Sequence, residues 1–210
     1  MLKKLTFGNV FAFIGILLQI LTFYIAKDSL LSLVCGCAGV LSVVLCSERK
    51  ISMYALGFVQ LLTYVALCLQ QNLYGEISEN VFYFVTMIIG VVLWSRNKDS
   101  ENSKKVKSET LKKGHLILMM VFVILISFLF GLYLNSTNDT HPYLDAFSTI
   151  PAFVAQILMM LRYREQWYFW LIVDILTCIL WISIGNWCIV AQYVFWTFNC
   201  LYGLKNWKIA

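Results

Sequence analysis

Charge is what this sequence lacks first. Asp, Glu, Lys and Arg make up 13% of its 210 residues, whereas hydrophobic residues make up 60%; soluble domains carry about 25% charged residues. Mean hydropathy is +0.77. An apolar share this high exceeds what one small core buries, and the shortage of charge excludes disordered and fibrous chains. Proline falls to two residues and histidine to two, so long stretches run without a helix breaker. His115 stands at an expected membrane boundary and His141 in a loop before Pro142, which leaves no histidine inside a span to hold a haem or a metal. A phosphate-cradling G-x-x-x-x-G-K motif is also missing, excluding direct drive by nucleotide hydrolysis in this chain. The seven cysteines all fall in apolar runs, and Cys35 and Cys37, two apart on a helix, point to opposite faces. Neither a disulfide framework nor a zinc site follows. No cofactor is expected.

What is present is apolar runs of membrane-crossing length. A helix needs about 20 mostly apolar residues to span a bilayer, and eight stretches qualify: 8–26, 30–47, 51–70, 77–94, 115–134, 143–161, 167–184 and 187–204. With both termini cytoplasmic, fifteen of the 16 Lys and Arg residues lie inside and only Lys27 outside, as the positive-inside rule requires. The first run has no small-residue cleavage motif before Lys27 and is too long for a signal peptide core. The polar stretch Ser95 to Gly114 carries seven basic and three acidic residues and reads as a flexible cytoplasmic linker, with a weak anionic-lipid signal. The external loop holds N-x-[ST] sequons at Asn135 and Asn138.

The spans repeat. Shifting the sequence by 114 residues lays Met53-Tyr54-x-Leu56 and Leu62-Thr63 on Trp167-Tyr168-x-Trp170 and Leu176-Thr177, and Ser42 on Gln156. A one-residue adjustment lays Tyr83, Thr86, Gly90 and Trp94 on Trp196, Asn199, Gly203 and Trp207. The expected architecture is thus an all-α polytopic membrane protein with eight transmembrane helices arranged 1+(3+1+3). One membrane domain, 1–210, divides into an extra N-terminal helix (1–27), a first three-helix repeat (28–95), the linker with a connecting helix (96–135) and a second repeat (136–210). Both copies start outside and end inside, so they run parallel, a known transporter plan with substrate held near the midplane between copies.

One stripe carries the chemistry. Trp167, Trp170, Asp174, Thr177 and Trp181 fall on one face of the seventh span, and a carboxylate at that depth costs roughly 2.5–3.5 kcal/mol on insertion scales. Gln192, Trp196, Asn199 and Gly203 form a matching stripe on the eighth, while Gln60, Thr63, Asn80, Tyr83 and Gln156 place polar groups in other spans. Aromatic faces attract cations and stack flat rings, a carboxylate adds charge complementarity, and amides bind hydroxyls or carboxamides. A flat, positively charged heterocycle suits this set. The expected substrate-binding residues are Gln60, Asn80, Tyr83, Gln156, Trp170, Asp174, Trp181, Gln192, Trp196 and Asn199. For each amide the competing role is helix-to-helix bonding. Trp94, Trp187 and Trp207 are expected as interfacial anchors, with Trp167 near the inner boundary; Gly36 and Gly39 permit close packing, and Pro151 marks a kink or hinge.

These residues resemble the PnuC-type vitamin transporters of bacteria. The likeness rests on Lys50-Ile51-Ser52-x-Tyr54, Gly57-Phe58-Val59-Gln60, Leu73-Tyr74-Gly75-Glu76 and Asn80-Val81-Phe82-Tyr83-Phe84 in the first half. In the second it rests on Arg162-Tyr163-Arg164-Glu165-Gln166-Trp167-x-x-Trp170, Gly185-Asn186-Trp187 and Asn199-x-x-Tyr202-Gly203-x-x-x-Trp207. The resemblance implies a fold similar to the SWEET sugar transporters and a homotrimer in the bacterial inner membrane. It also implies import of nicotinamide riboside by facilitated diffusion, with trapping by a cytoplasmic riboside kinase. Asp174 stands where riboside importers of this family often carry Asn, so thiamine remains open as the alternative substrate. A membrane enzyme or redox protein is the distant alternative.

Overall fold

The computed structural model describes residues 7–27, 29–70, 74–99, 102, 105–136, 141–184 and 187–207. Among them are eight α-helices: α1 (Phe7–Ala26), α2 (Leu30–Ser47), α3 (Met53–Gln70), α4 (Tyr74–Arg96), α5 (Lys113–Asn135), α6 (Pro142–Met160), α7 (Gln166–Ile184) and α8 (Trp187–Asn206). Each matches one of the eight apolar runs. Starts carry local signals: the Ser29 hydroxyl caps α2 by accepting the Ser32 N–H at 3.1 Å, and Pro142 opens α6 with Asp145 in its first turn. The helix α6 continues through Pro151. By length and composition α1, α2, α5 and α6 are each apolar enough to cross a membrane.

The chain divides into two units, residues 1–107 and 108–210. In the first, α2 packs on α1 and α3, and α3 on α4; in the second, α5, α6, α7 and α8 pack in sequence. Glycines set the close approaches. Gly36 lies against the buried Gln19 side chain of α1, and Gly39 against Gln60 of α3, so the two glycines of α2 serve different neighbours. The second unit centres on Val123, Ala155, Leu158 and Phe169. Apolar side chains on the outer faces of α1 and α5, among them Phe13, Leu17, Leu118, Phe122 and Leu125, are exposed, a surface suited to lipid rather than water.

The turn after α2 and the turn after α6 have the same backbone geometry at a spacing of 113 residues. Arg49 and Arg162 adopt φ of 60° and 67°, the left-handed region rarely used by side chains of this size. Arg49 N–H donates to Cys46 O and Lys50 N–H to Leu45 O; correspondingly Arg162 N–H donates to Met159 O and Tyr163 N–H to Leu158 O. Aromatic packing follows the same spacing. Tyr54 lies edge-on to Trp94 with centroids 5.2 Å apart and rests on Gly90, while Trp167 lies edge-on to Trp207 at 6.0 Å and rests on Gly203. The geometry therefore matches Tyr54 with Trp167 rather than with Tyr168, and Ser42 with Ala155 rather than Gln156, one residue from the register read in the sequence.

Two expectations are corrected. The linker is not a flexible segment over its described residues: Val106 N–H donates to Arg49 O (2.8 Å), Lys107 N–H to Asn97 O (2.9 Å) and Asp99 N–H to Lys105 O (2.9 Å), while Glu109 N–H donates to Arg162 O (2.8 Å). The left-handed arginines turn their carbonyls outward and supply the acceptors. Trp94 and Trp207, expected at the membrane interface, are fully buried at 0% exposure, each packed edge-on against a ring, Tyr54 or Trp167, that a glycine admits close to its own helix. Trp167 is buried as well. The side chain of Trp187 lies outside the described residues.

Candidate functional site

Three of the expected site residues belong to the first unit. Gln60 leans along α2, its Cγ 3.4 Å from where a Cβ on Gly39 would stand, and its backbone carbonyl accepts the Cys35 thiol at 3.6 Å. Asn80 is buried on α4. One turn further, Tyr83 donates its hydroxyl to Glu79 Oε1 at 2.5 Å, and Thr86 turns its hydroxyl back to Phe82 O at 2.9 Å. Glu79 is the residue sequence reasoning missed here. Its position four before Tyr83 on a helix was the available signal.

The other seven belong to the second unit. Asp174, midway along α7, is 3% exposed, and its Oδ2 accepts the Cys200 thiol of α8 at 3.2 Å. Among the described residues it forms no ion pair. That matters because a buried carboxylate without a counter-charge is costly. Asn199, next to Cys200, is 2% exposed, and Gln156 on α6 is 5% exposed. The stripe on α7 is inward-facing at Trp167, Asp174 and Thr177, all buried; the side chain of Trp181 lies outside the described residues.

The tryptophans divide. Trp170 packs against the Val123, Ala155, Leu158 and Phe169 cluster, which gives it a structural role on at least one face. Trp196 is half-buried on α8, with the Tyr193 ring edge-on at 5.1 Å, and its indole N–H is shielded from solvent with no acceptor among the described residues. Buried donors are almost always paired, and the Trp167 indole N–H is likewise without a partner among the described residues. Gln192 is half-buried on the same helix. Cys200 was not read in advance, since a cysteine in an apolar helix looks like any small hydrophobe.

A groove of about 300 Å³ between α7 and α8 is lined by Ile175, Cys178, Ile179, Val194, Thr197 and Phe198. Most of these are exposed apolar side chains, and Asp174 is not among them, so the groove suits an acyl chain better than a polar solute. No group of His, Cys, Asp or Glu suited to a metal occurs among the described residues.

Each unit, then, carries polar and aromatic side chains within apolar helices, and in the second Asp174 forms no ion pair among the described residues. Known proteins agree on what kind of molecule this is. Residues 29–209 match the family described as nicotinamide mononucleotide transporter. The nicotinamide riboside transporter PnuC of Haemophilus influenzae is 34% identical over 204 residues, covering 96% of this chain and 89% of that one. The protein of the same name from Neisseria mucosa is 30% identical over 205 residues, covering 93% and 77%, and that of Escherichia coli is 27% identical over 195 residues, covering 81% of each. The crystal structure of the vitamin B3 transporter PnuC superposes with a TM-score of 0.81 at 28% identity, covering 98% of this chain and 92% of that one. These relatives are transporters, which removes the membrane-enzyme alternative and bears out the resemblance read from the motifs: the chain belongs to the nicotinamide mononucleotide transporter family.

Proposed function

We propose that this chain imports nicotinamide riboside across the bacterial inner membrane by facilitated diffusion. The observation that carries a cationic substrate is Asp174, buried and without an ion pair among the described residues; the choice of the riboside as that cation is supported by the relatives named for it. A pyridinium brings the missing positive charge. The ring stacks on Trp170 or Trp196, the Trp196 N–H meets an acceptor on the ligand, and Gln60, Asn80, Tyr83, Gln156, Trp181, Gln192 and Asn199 complete the substrate-binding set. The family's description names the mononucleotide while the relatives are named for the riboside, and the charge of the set favours the latter. A phosphate adds about −1.5 to −2 charges near neutral pH, and the ten residues include an acid but no Lys or Arg.

The helices span the membrane as 1+(3+1+3) with both termini in the cytoplasm, and the two three-helix repeats run parallel as in SWEET proteins. The fifteen-to-one distribution of basic residues supports the orientation, and the turns and aromatic pairs matched at 113 residues support the duplication. The divisions 1–27, 28–95, 96–135 and 136–210 follow from it. Transport equilibrates the riboside, a cytoplasmic kinase traps it as a phosphate ester, and the assembly is a homotrimer.

Calorimetry on the purified protein tests the substrate. Nicotinamide riboside is expected to bind, riboflavin and the mononucleotide to bind at least tenfold more weakly, and Asp174→Asn to weaken riboside binding while the protein stays folded. Tighter binding of thiamine than of riboside would move the chain to a thiamine function, and tight binding of the mononucleotide would overturn the charge argument.

A further inference from the structure

The second unit begins with a short run fixed before α5 starts. Glu109 donates its N–H to Arg162 O (2.8 Å) and accepts the Arg164 N–H (2.9 Å), and its carboxylate lies 3.8 Å from the Arg162 guanidinium. Glu165 accepts the Leu111 N–H at 3.1 Å. Both acids of this neighbourhood therefore have partners. The next two residues, Lys112 and Lys113, are exposed, and among the described residues neither forms an ion pair.

Their depth follows from the helix they begin. The 23 residues of α5 have a mean hydropathy of 2.8 in their most apolar window and rise about 35 Å, a little more than the roughly 30 Å hydrocarbon core. With the apolar run in hydrocarbon, the lysines stand at the level of lipid headgroups. A helix start already carries about half a positive charge, and two ammonium groups there repel it and each other. Just beyond, Ile117, Leu118 and Val121 of the same helix are exposed and apolar. Cations at headgroup depth, continued by an open apolar face, match one molecule end to end.

We propose that Lys112 and Lys113 hold the phosphate of an anionic phospholipid whose acyl chains lie along Ile117, Leu118 and Val121. Free phosphate offers the same headgroup chemistry, but only a lipid is kept at this depth by its own tails. The proposal rests on the membrane reading and is independent of the transported substrate.

The test titrates full-length protein in neutral detergent with phosphatidylglycerol, phosphatidylcholine or inorganic phosphate, reading thermal unfolding. Phosphatidylglycerol is expected to raise the unfolding temperature and the other two to leave it unchanged. K112Q/K113Q should weaken the apparent phosphatidylglycerol affinity about thirtyfold, at roughly fivefold per lysine, with unfolding in detergent alone unaltered. K112R/K113R, and K205Q at an exposed lysine of α8, should respond like the parent. Phosphatidylglycerol retained through delipidation, counted by mass spectrometry, should fall in the single variant K112Q, which covers the case of an unstable double variant. An equal response to phosphatidylcholine, an equal response to inorganic phosphate, or undiminished phosphatidylglycerol binding by K112Q/K113Q and K112Q would overturn the proposal.

Discussion

At the scale of single residues, the contrast between Asp174 and Cys200 shows what a sequence makes visible. An acid inside an apolar run is conspicuous because its cost is large, and the structure does bury it. The thiol that faces it was not legible, because its placement depends on how α8 rotates against α7. Trp94 and Trp207 were misread for a related reason: a tryptophan near the end of a span fits an interface or a core equally well, and only contact with Tyr54 and Trp167 decides. Gly203 offers a sharp test. A methyl there meets the rigid Trp167 ring, so Gly203→Ala should destabilise by about 1–3 kcal/mol, as overpacking does; an unchanged melting temperature would mean that the indole shifts freely. Trp196→Ala should weaken riboside binding at least tenfold without altering the melt. Unchanged affinity would take Trp196 out of the binding set.

Elements were easier to read than residues. All eight helices lie where the apolar runs put them, because hydrocarbon demands that every backbone group be bonded internally and a helix does this within one segment. The linker was the element misjudged. Its charge and polarity signal solvent, whereas its order comes from backbone acceptors on the turns at Arg49 and Arg162, whose left-handed φ no composition rule anticipates. Glu165, just before α7, is the side chain that holds this element through the Leu111 N–H. Glu165→Ala leaves that donor without its partner, at a cost of about 1–3 kcal/mol. Hydrogen exchange at the Leu111 amide should accelerate at least tenfold while amides in the middle of α6 keep their protection, and unchanged exchange at Leu111 would show that the bond contributes nothing.

For the molecule as a whole, composition alone separated a membrane protein from every soluble class, and the motifs reached the family. The substrate was not legible to the same depth, since a stripe of rings, amides and one carboxylate welcomes more than one cationic heterocycle. Reconstituted liposomes address the mechanism directly. Riboside uptake should stop when internal and external concentrations are equal, be indifferent to a proton ionophore, and exceed equality only when a riboside kinase and ATP are enclosed. Accumulation without the kinase would rule out facilitated diffusion; its collapse by the ionophore would show proton coupling, and its loss in Asp174→Asn would place the proton on Asp174.

The two matched turns have a consequence for how such a chain can be made. Each turn keeps its hydrogen bonds within its own unit, the first closing on Val106 and the second on Glu109, so a cut between Lys107 and Ser108 severs a peptide bond and none of these hydrogen bonds. Two open reading frames ending and beginning there, translated in one cell, should yield halves that reassemble and restore uptake of the vitamin to an auxotroph. Growth rescued only by the uncut gene would reveal that the single peptide bond does something the hydrogen bonds do not.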